Sequence, residues 1–116
     1  MANILIVEDE PLIAMMLEDF VEMLDHSCTA NADTVAEAQR AIKAGAFDFA
    51  ILDVNLRDGE TSWPIADALD DAGIPFVFAS GGQLDTPPGR HRHRPFLYKP
   101  FTLDSVGEAC AKALET

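Results

Sequence analysis

Basic residues are scarce in this chain: 8 Lys and Arg stand against 20 Asp and Glu, for a formal net charge of -12. A surface that negative repels phosphate backbones and anionic headgroups over a Debye length of about 8 Å at physiological salt. Nucleic acid and membranes are therefore not expected partners. Cysteine is scarce too. The two residues, Cys28 and Cys110, lie in apolar-patterned segments without metal-ligand spacing, which excludes a disulfide framework and suits small buried hydrophobes. Long apolar runs are also missing. Only Ile4-Leu5-Ile6-Val7 precede Glu8, too few for a signal-peptide core or a membrane span, so a cytoplasmic location is expected.

What is present is enough apolar content, 48% of 116 residues, to fill one core but not two. Residues 1–116 are read as a single domain. Short runs of β-branched and other apolar residues alternate with amphipathic stretches, the pattern of a parallel sheet whose strands are joined by covering helices. Five such units are expected. The strands are Asn3–Val7, Ser27–Ala30, Asp48–Leu52, Pro75–Ala79 and Phe96–Tyr98. The third, almost wholly apolar, suits the centre of a sheet covered on both faces.

The first helix is expected over Pro11–Asp25, with proline in its first turn and Leu12, Met16, Phe20 and Leu24 inward. Met15, Met23 and Phe101 also read as packing residues. The second helix starts at a cap on Asp33 or Thr34, turns Val35, Ala38 and Ile42 inward, and stops before Gly45. The third covers Ser62–Ala72 up to Gly73, with Trp63 as packing at its start, and the last covers Leu103–Leu114 with Val106, Cys110 and Leu114 on one face.

Between Gly81 and Pro95 the pattern breaks. Two glycines open the segment, Pro87-Pro88-Gly89 sits in its middle, and Arg90-His91-Arg92-His93-Arg94 follows. Those breakers exclude a long helix, so the fourth helix is expected to be short, shifted or missing. The basic run holds three of the five arginines. A solvated loop is the ordinary fate of such a run, and docking on an acidic partner or folding back over an acidic pocket is the sharper alternative.

The chemistry gathers at strand ends. Glu8 and Asp9 follow the first strand, Asp53 the third, Ser80 the fourth and Lys99 the fifth. In an open parallel sheet of order 2-1-3-4-5, the carboxyl ends of strands 1 and 3 flank the topological switch point, where ligands bind. Acids packed there repel one another, so a stable cluster needs a basic partner such as Lys99 or a bound cation. Hard oxygen ligands without ligand-spaced His or Cys favour Mg²⁺, or Mn²⁺ in its place. An aspartate can act as a nucleophile toward phosphorus, and phosphoryl transfer asks mainly for alignment and charge neutralisation.

Val7-Glu8-Asp9-Glu10, Asp53-Val54-Asn55-Leu56-Arg57-Asp58-Gly59, Ala79-Ser80-Gly81 and Lys99-Pro100-Phe101 together resemble the successive signatures of response-regulator receiver domains. The resemblance spans essentially the whole chain. It implies a flavodoxin-like (βα)5 domain in which Asp53 is the phosphoacceptor. It further implies that Glu8 and Asp9 hold a metal with Asp53, that the Asn55 carbonyl adds a ligand, and that Ser80 and Lys99 contact the phosphoryl group. A cis peptide between Lys99 and Pro100, and an aromatic switch at Phe96 responding to Ser80, are implied as well. Phe78-Ala79-Ser80-Gly81-Gly82 resembles a single-domain subclass with the motif Phe-Ala-Thr-Gly-Gly-Tyr, although Ser80 replaces the threonine and Gln83 the tyrosine.

The implied partners are a histidine kinase or histidine phosphotransferase as donor and an unspecified downstream protein as target. No output module is expected after Thr116, so contact, onward phosphotransfer or a phosphate sink is the expected mode of action, rather than conventional enzyme turnover. Two other classes compete. A haloacid-dehalogenase-type phosphatase also uses Asp and Mg²⁺, but it wants an acid two residues after the nucleophile, where this chain has Asn55. A phosphorylation-independent domain of the same fold would be expected to lose part of the acid, Ser and Lys set.

Overall fold

The computed structural model describes residues 2–45, 47–56, 59–80, 89–91, 96–98 and 101–114, with the backbone alone for Arg90. Strands β1 (Asn3–Val7), β2 (Ser27–Ala32), β3 (Phe49–Asp53), β4 (Phe76–Ser80) and β5 (Phe96–Tyr98) form one parallel sheet of order β2-β1-β3-β4-β5. Helices α1 (Pro11–Met23), α2 (Val35–Ala44), α3 (Trp63–Ala72) and α4 (Leu103–Leu114) connect or follow them. The sheet order and the flavodoxin-like architecture agree with the sequence. Among the described residues, the only helical structure between β4 and β5 is the 3₁₀ turn Gly89–His91, as the proline and glycine breakers there require.

Strand alternation divides the core in two. Ile4 and Ile6, Phe49 and Ile51, Val77 and Ala79, and Leu97 face α1 and α4, where Leu17, Val21, Val106 and Cys110 meet them. Leu5 and Val7, Ala50 and Leu52, and Phe76 and Phe78 face the other way, toward α2 and α3 with Ala38, Ile65, Ala66 and Leu69. β1, β3 and β4 are therefore sealed on both faces, and every residue of β3 is buried. β2 is half exposed and polar. Its extent, two residues beyond the expected strand, follows from pairing with β1, register Asn3↔Ser27 to Val7↔Ala32, rather than from burial.

Local chemistry sets the helix ends. Thr34 Oγ1 accepts from the Glu37 amide at 3.1 Å, closing an N-cap over α2, and Gly73 adopts a left-handed conformation (φ 73°) that ends α3. On α1, Met16, Phe20 and Leu24 pack against the core as expected, and Leu12 does not. Leu12 is 80% exposed, as are Met15 and Met23 in large part, while Ala14, Leu17 and Val21 form the buried stripe of α1. The helix is apolar around most of its first two turns, Leu12-Ile13-Ala14-Met15-Met16-Leu17, so periodicity alone admits more than one inward face. Phe101 is buried as expected, Cys110 is buried, and Cys28 is only half-buried. No helix among the described residues is long and apolar enough to cross a membrane.

Candidate functional site

Two adjacent strands deliver the acids. β1 runs straight into Glu8 and Asp9, and β3, paired to it from Ile4↔Phe49 to Val7↔Leu52, ends on Asp53. The three side chains converge so that one carboxylate oxygen from each lies within 4.8 Å of the other two. Glu8 and Asp53 are buried, and Asp9 is partly exposed at the rim. The backbone holds this corner firmly. The Glu8 amide donates to the Ala32 carbonyl at 3.0 Å, and the Glu10 amide donates to Glu8 Oε2 at 3.2 Å, orienting that carboxylate from its own chain.

After β3 the chain reverses between Asn55 and Thr61. Asn55 and Thr61 form an isolated antiparallel bridge, the Leu56 amide donates to the Glu60 carbonyl at 2.8 Å, and the Ser62 amide donates to the Val54 carbonyl at 3.0 Å. Gly59 (φ 76°) supplies the left-handed turn this reversal needs. Asn55, the expected carbonyl ligand, is thus fixed next in sequence to Val54, whose amide ties β3 to Ala79 at 3.0 Å. Ser80 ends β4, buried, one residue beyond the Asp53↔Ala79 register pair.

Of the residues picked from sequence, then, the structure brings Glu8, Asp9 and Asp53 together and sets Ser80 at the neighbouring strand end. Phe96 opens β5, half-buried, its ring 5.4 Å from Phe78 and stacked at 6.1 Å on exposed Tyr98. Lys99, Pro100 and their peptide bond lie outside the described residues, as do Arg57, Asp58, Gly81 and Gln83. The donor set is all hard oxygen, with no imidazole or thiolate among the three clustered side chains, which fits Mg²⁺ or Mn²⁺ and not a softer ion.

One residue of the basic run, His91, is not solvated. His91 is completely buried, its Nε2 2.8 Å from Asp67 Oδ1 on α3, and its ring packs against Phe76 and Phe78. Sequence reading missed this residue among its charged neighbours. Arg92, His93 and Arg94 lie outside the described residues.

Comparison with known proteins agrees with this architecture. No family model matches the chain. SdrG from Sphingomonas melonis Fr1 is 57% identical, with a TM-score of 0.88 over 100% of this chain and 98% of that one. The BeF3-activated conformation of SdrG from Pseudomonas melonis Fr1 aligns at 58% identity and a TM-score of 0.83, covering 97% and 95% of the two chains. The receiver domain of the PhyR response regulator from Erythrobacter litoralis is 31% identical, with a TM-score of 0.86 over 98% of this chain and 90% of that one. This chain belongs to the response-regulator receiver family. Among curated proteins, the phyllosphere-induced regulator PhyR of Methylorubrum extorquens AM1 is 35% identical over 115 residues, 97% of this chain. The receiver spans 43% of that relative's length.

Proposed function

We propose that this receiver accepts a phosphoryl group on Asp53 from a phosphohistidine donor and reports it through contact with another protein. The observation that carries the proposal is the convergence of the Glu8, Asp9 and Asp53 oxygens within 4.8 Å at the ends of β1 and β3. Three carboxylates so close, two of them buried, form a pocket suited to a divalent cation and a phosphoryl group together. The likeness to SdrG, which has a BeF3-activated conformation, supports the same reading.

In the proposed reaction an Asp53 carboxylate oxygen attacks phosphorus. A P–O bond forms, the P–N bond to the donor imidazole breaks, and its electron pair returns to the ring nitrogen. Mg²⁺ bound by Glu8, Asp9, Asp53 and the Asn55 carbonyl would supply charge neutralisation at the phosphoryl oxygens. The chain's own contribution is positional. The Glu10 amide fixes the Glu8 carboxylate, and the Asn55–Thr61 bridge holds the loop that follows Asp53. Lys99 would pair with the transferred group, and the Ser80 hydroxyl would donate to one of its oxygens.

Exposed Leu12 and Met15 on α1, with Met15 lining the groove that contains Glu8 and Asp9, offer apolar surface for the donor beside the acceptor. Phosphorylation adds about -1.5 to -2 charges and strong acceptor oxygens. Drawing Ser80 toward them would let Phe96 repack and change the exposed edge around Tyr98. The test is transfer from a purified phosphorylated histidine phosphotransferase, followed by the Tyr98 ring signal. Ser80→Ala is expected to accept phosphate yet leave Tyr98 unmoved, and a wild type that takes no phosphate from any such donor would defeat the proposal.

A further inference from the structure

Phe76 and Phe78 are fully buried on the α2 and α3 side of the sheet, and side chains from several elements cover them. His91 is one of them. Its ring centroid lies 5.7 Å from Phe76 and 6.1 Å from Phe78, in edge-on geometry to both, and its side chain has no exposed surface. Packing alone does not account for a histidine here. Nδ1 is buried without a hydrogen-bond partner among the described residues, a cost that an apolar ring would avoid. What histidine adds is Nε2, 2.8 Å from Asp67 Oδ1, a bond that fixes both the tautomer and the ring plane.

Phe78 is the hub of this cluster. Trp63 from the start of α3 meets it edge-on at 5.2 Å, His91 meets it from the 3₁₀ turn, and Phe96 of β5 lies tilted against it at 5.4 Å. A movement of Phe96 must therefore be accommodated by Phe78, whose freedom His91 limits.

We propose that His91 is a positioning residue for the switch: pinned by Asp67, it holds Phe78, and through Phe78 the ring of Phe96, in the unphosphorylated arrangement. The inference rests on the phosphoacceptor reading for its consequence but not for its geometry. Releasing the pin shifts the population toward the rearranged state, which is the state that accepts and keeps phosphate. Asp67, half exposed on α3, thereby couples the surface of that helix to β5.

Three variants test it. Asp67→Asn and His91→Phe remove the charge-assisted bond while keeping bulk, and His91→Ala removes both. In the unphosphorylated protein, each is expected to move the Trp63 fluorescence and the ring signals of Phe96 and Tyr98. Each is expected to raise the initial rate of Asp53 labelling by acetyl phosphate about threefold or more, with the Asp67→Asn/His91→Phe double variant adding little to either single one. A role in stability only would lower the unfolding temperature and leave the ring signals and labelling rate at wild-type values. That result would overturn the inference. If the wild type does not label at all, the phosphoacceptor reading fails separately, and the ring signals alone decide whether His91 holds Phe96. His91→Ala is the variant most exposed to misfolding, and the two bulk-preserving variants stand without it.

Discussion

Neutralising Asp53 should stabilise the metal-free protein. Asp53 is 6% exposed and shares its pocket with Glu8 and Asp9, one oxygen of each lying within 4.8 Å of the others. At that separation one pair of like charges costs about 0.9 kcal/mol in a water-like medium and about 3.5 kcal/mol at an effective dielectric of 20. Asp53→Asn removes two such pairs and keeps the side-chain shape. Because Asp9 is partly exposed to solvent, which screens the pair, the low end applies, a gain of about 2 kcal/mol. For a domain of this size that is about 8 °C in unfolding temperature. The assay is thermal unfolding in EDTA and again in excess Mg²⁺. In EDTA the variant should melt higher. In Mg²⁺ the wild type should recover the difference, since a ligand at a hundred times its dissociation constant adds about 2.7 kcal/mol. A variant that melts lower than wild type in EDTA, together with a wild type indifferent to Mg²⁺, would refute the repulsion argument.

Thr34→Ala removes the side-chain cap on α2 and should cost about 1 kcal/mol in urea unfolding, with Thr34→Ser close to neutral. Leu17→Ala in the buried stripe of α1 should cost about 2–5 kcal/mol, whereas Leu12→Ser, on the exposed face, should stay within about 0.5 kcal/mol. Burial, with Glu18 adding to it at Cys28, raises both thiols from 9.0 to about 11. The folded thiolate fraction at pH 8 is then about 100-fold below that of the unfolded chain, and Ellman's reagent should show it. Because the folded state favours the protonated thiol, this contribution is full below pH 9 and is lost as pH rises toward 11, so Cys110→Ala should flatten the alkaline decline.

Much of the architecture was legible because burial and pairing demand the same residues. β1, β5 and α4 have the limits their apolar patterns predict, and the apolar β3 sits at the centre of the order β2-β1-β3-β4-β5, an order implied by the resemblance to receiver domains. The acids were legible for a related reason: charged residues directly after sealed strands have only the carboxyl end of the sheet to occupy. What escaped depended on contacts distant in sequence. The inward face of α1 is chosen by where Leu17 and Val21 meet the sheet, and several apolar residues compete for it. His91 looked solvated beside Arg90 and Arg92, yet its ring packs against Phe76 and Phe78 and its Nε2 meets Asp67, residues 13 to 24 positions away in the chain.

The central claim is that Asp53 receives phosphate, and intact-mass spectrometry after incubation with acetyl phosphate and Mg²⁺ tests it most directly. The wild type should gain the mass of one phosphoryl group, lose it on treatment with base or hydroxylamine as an acyl phosphate does, and gain nothing in EDTA. Asp53→Asn should remain unmodified. The same adduct on Asp53→Asn, or none on the folded wild type with acetyl phosphate or with any phosphorylated histidine donor, would contradict the account.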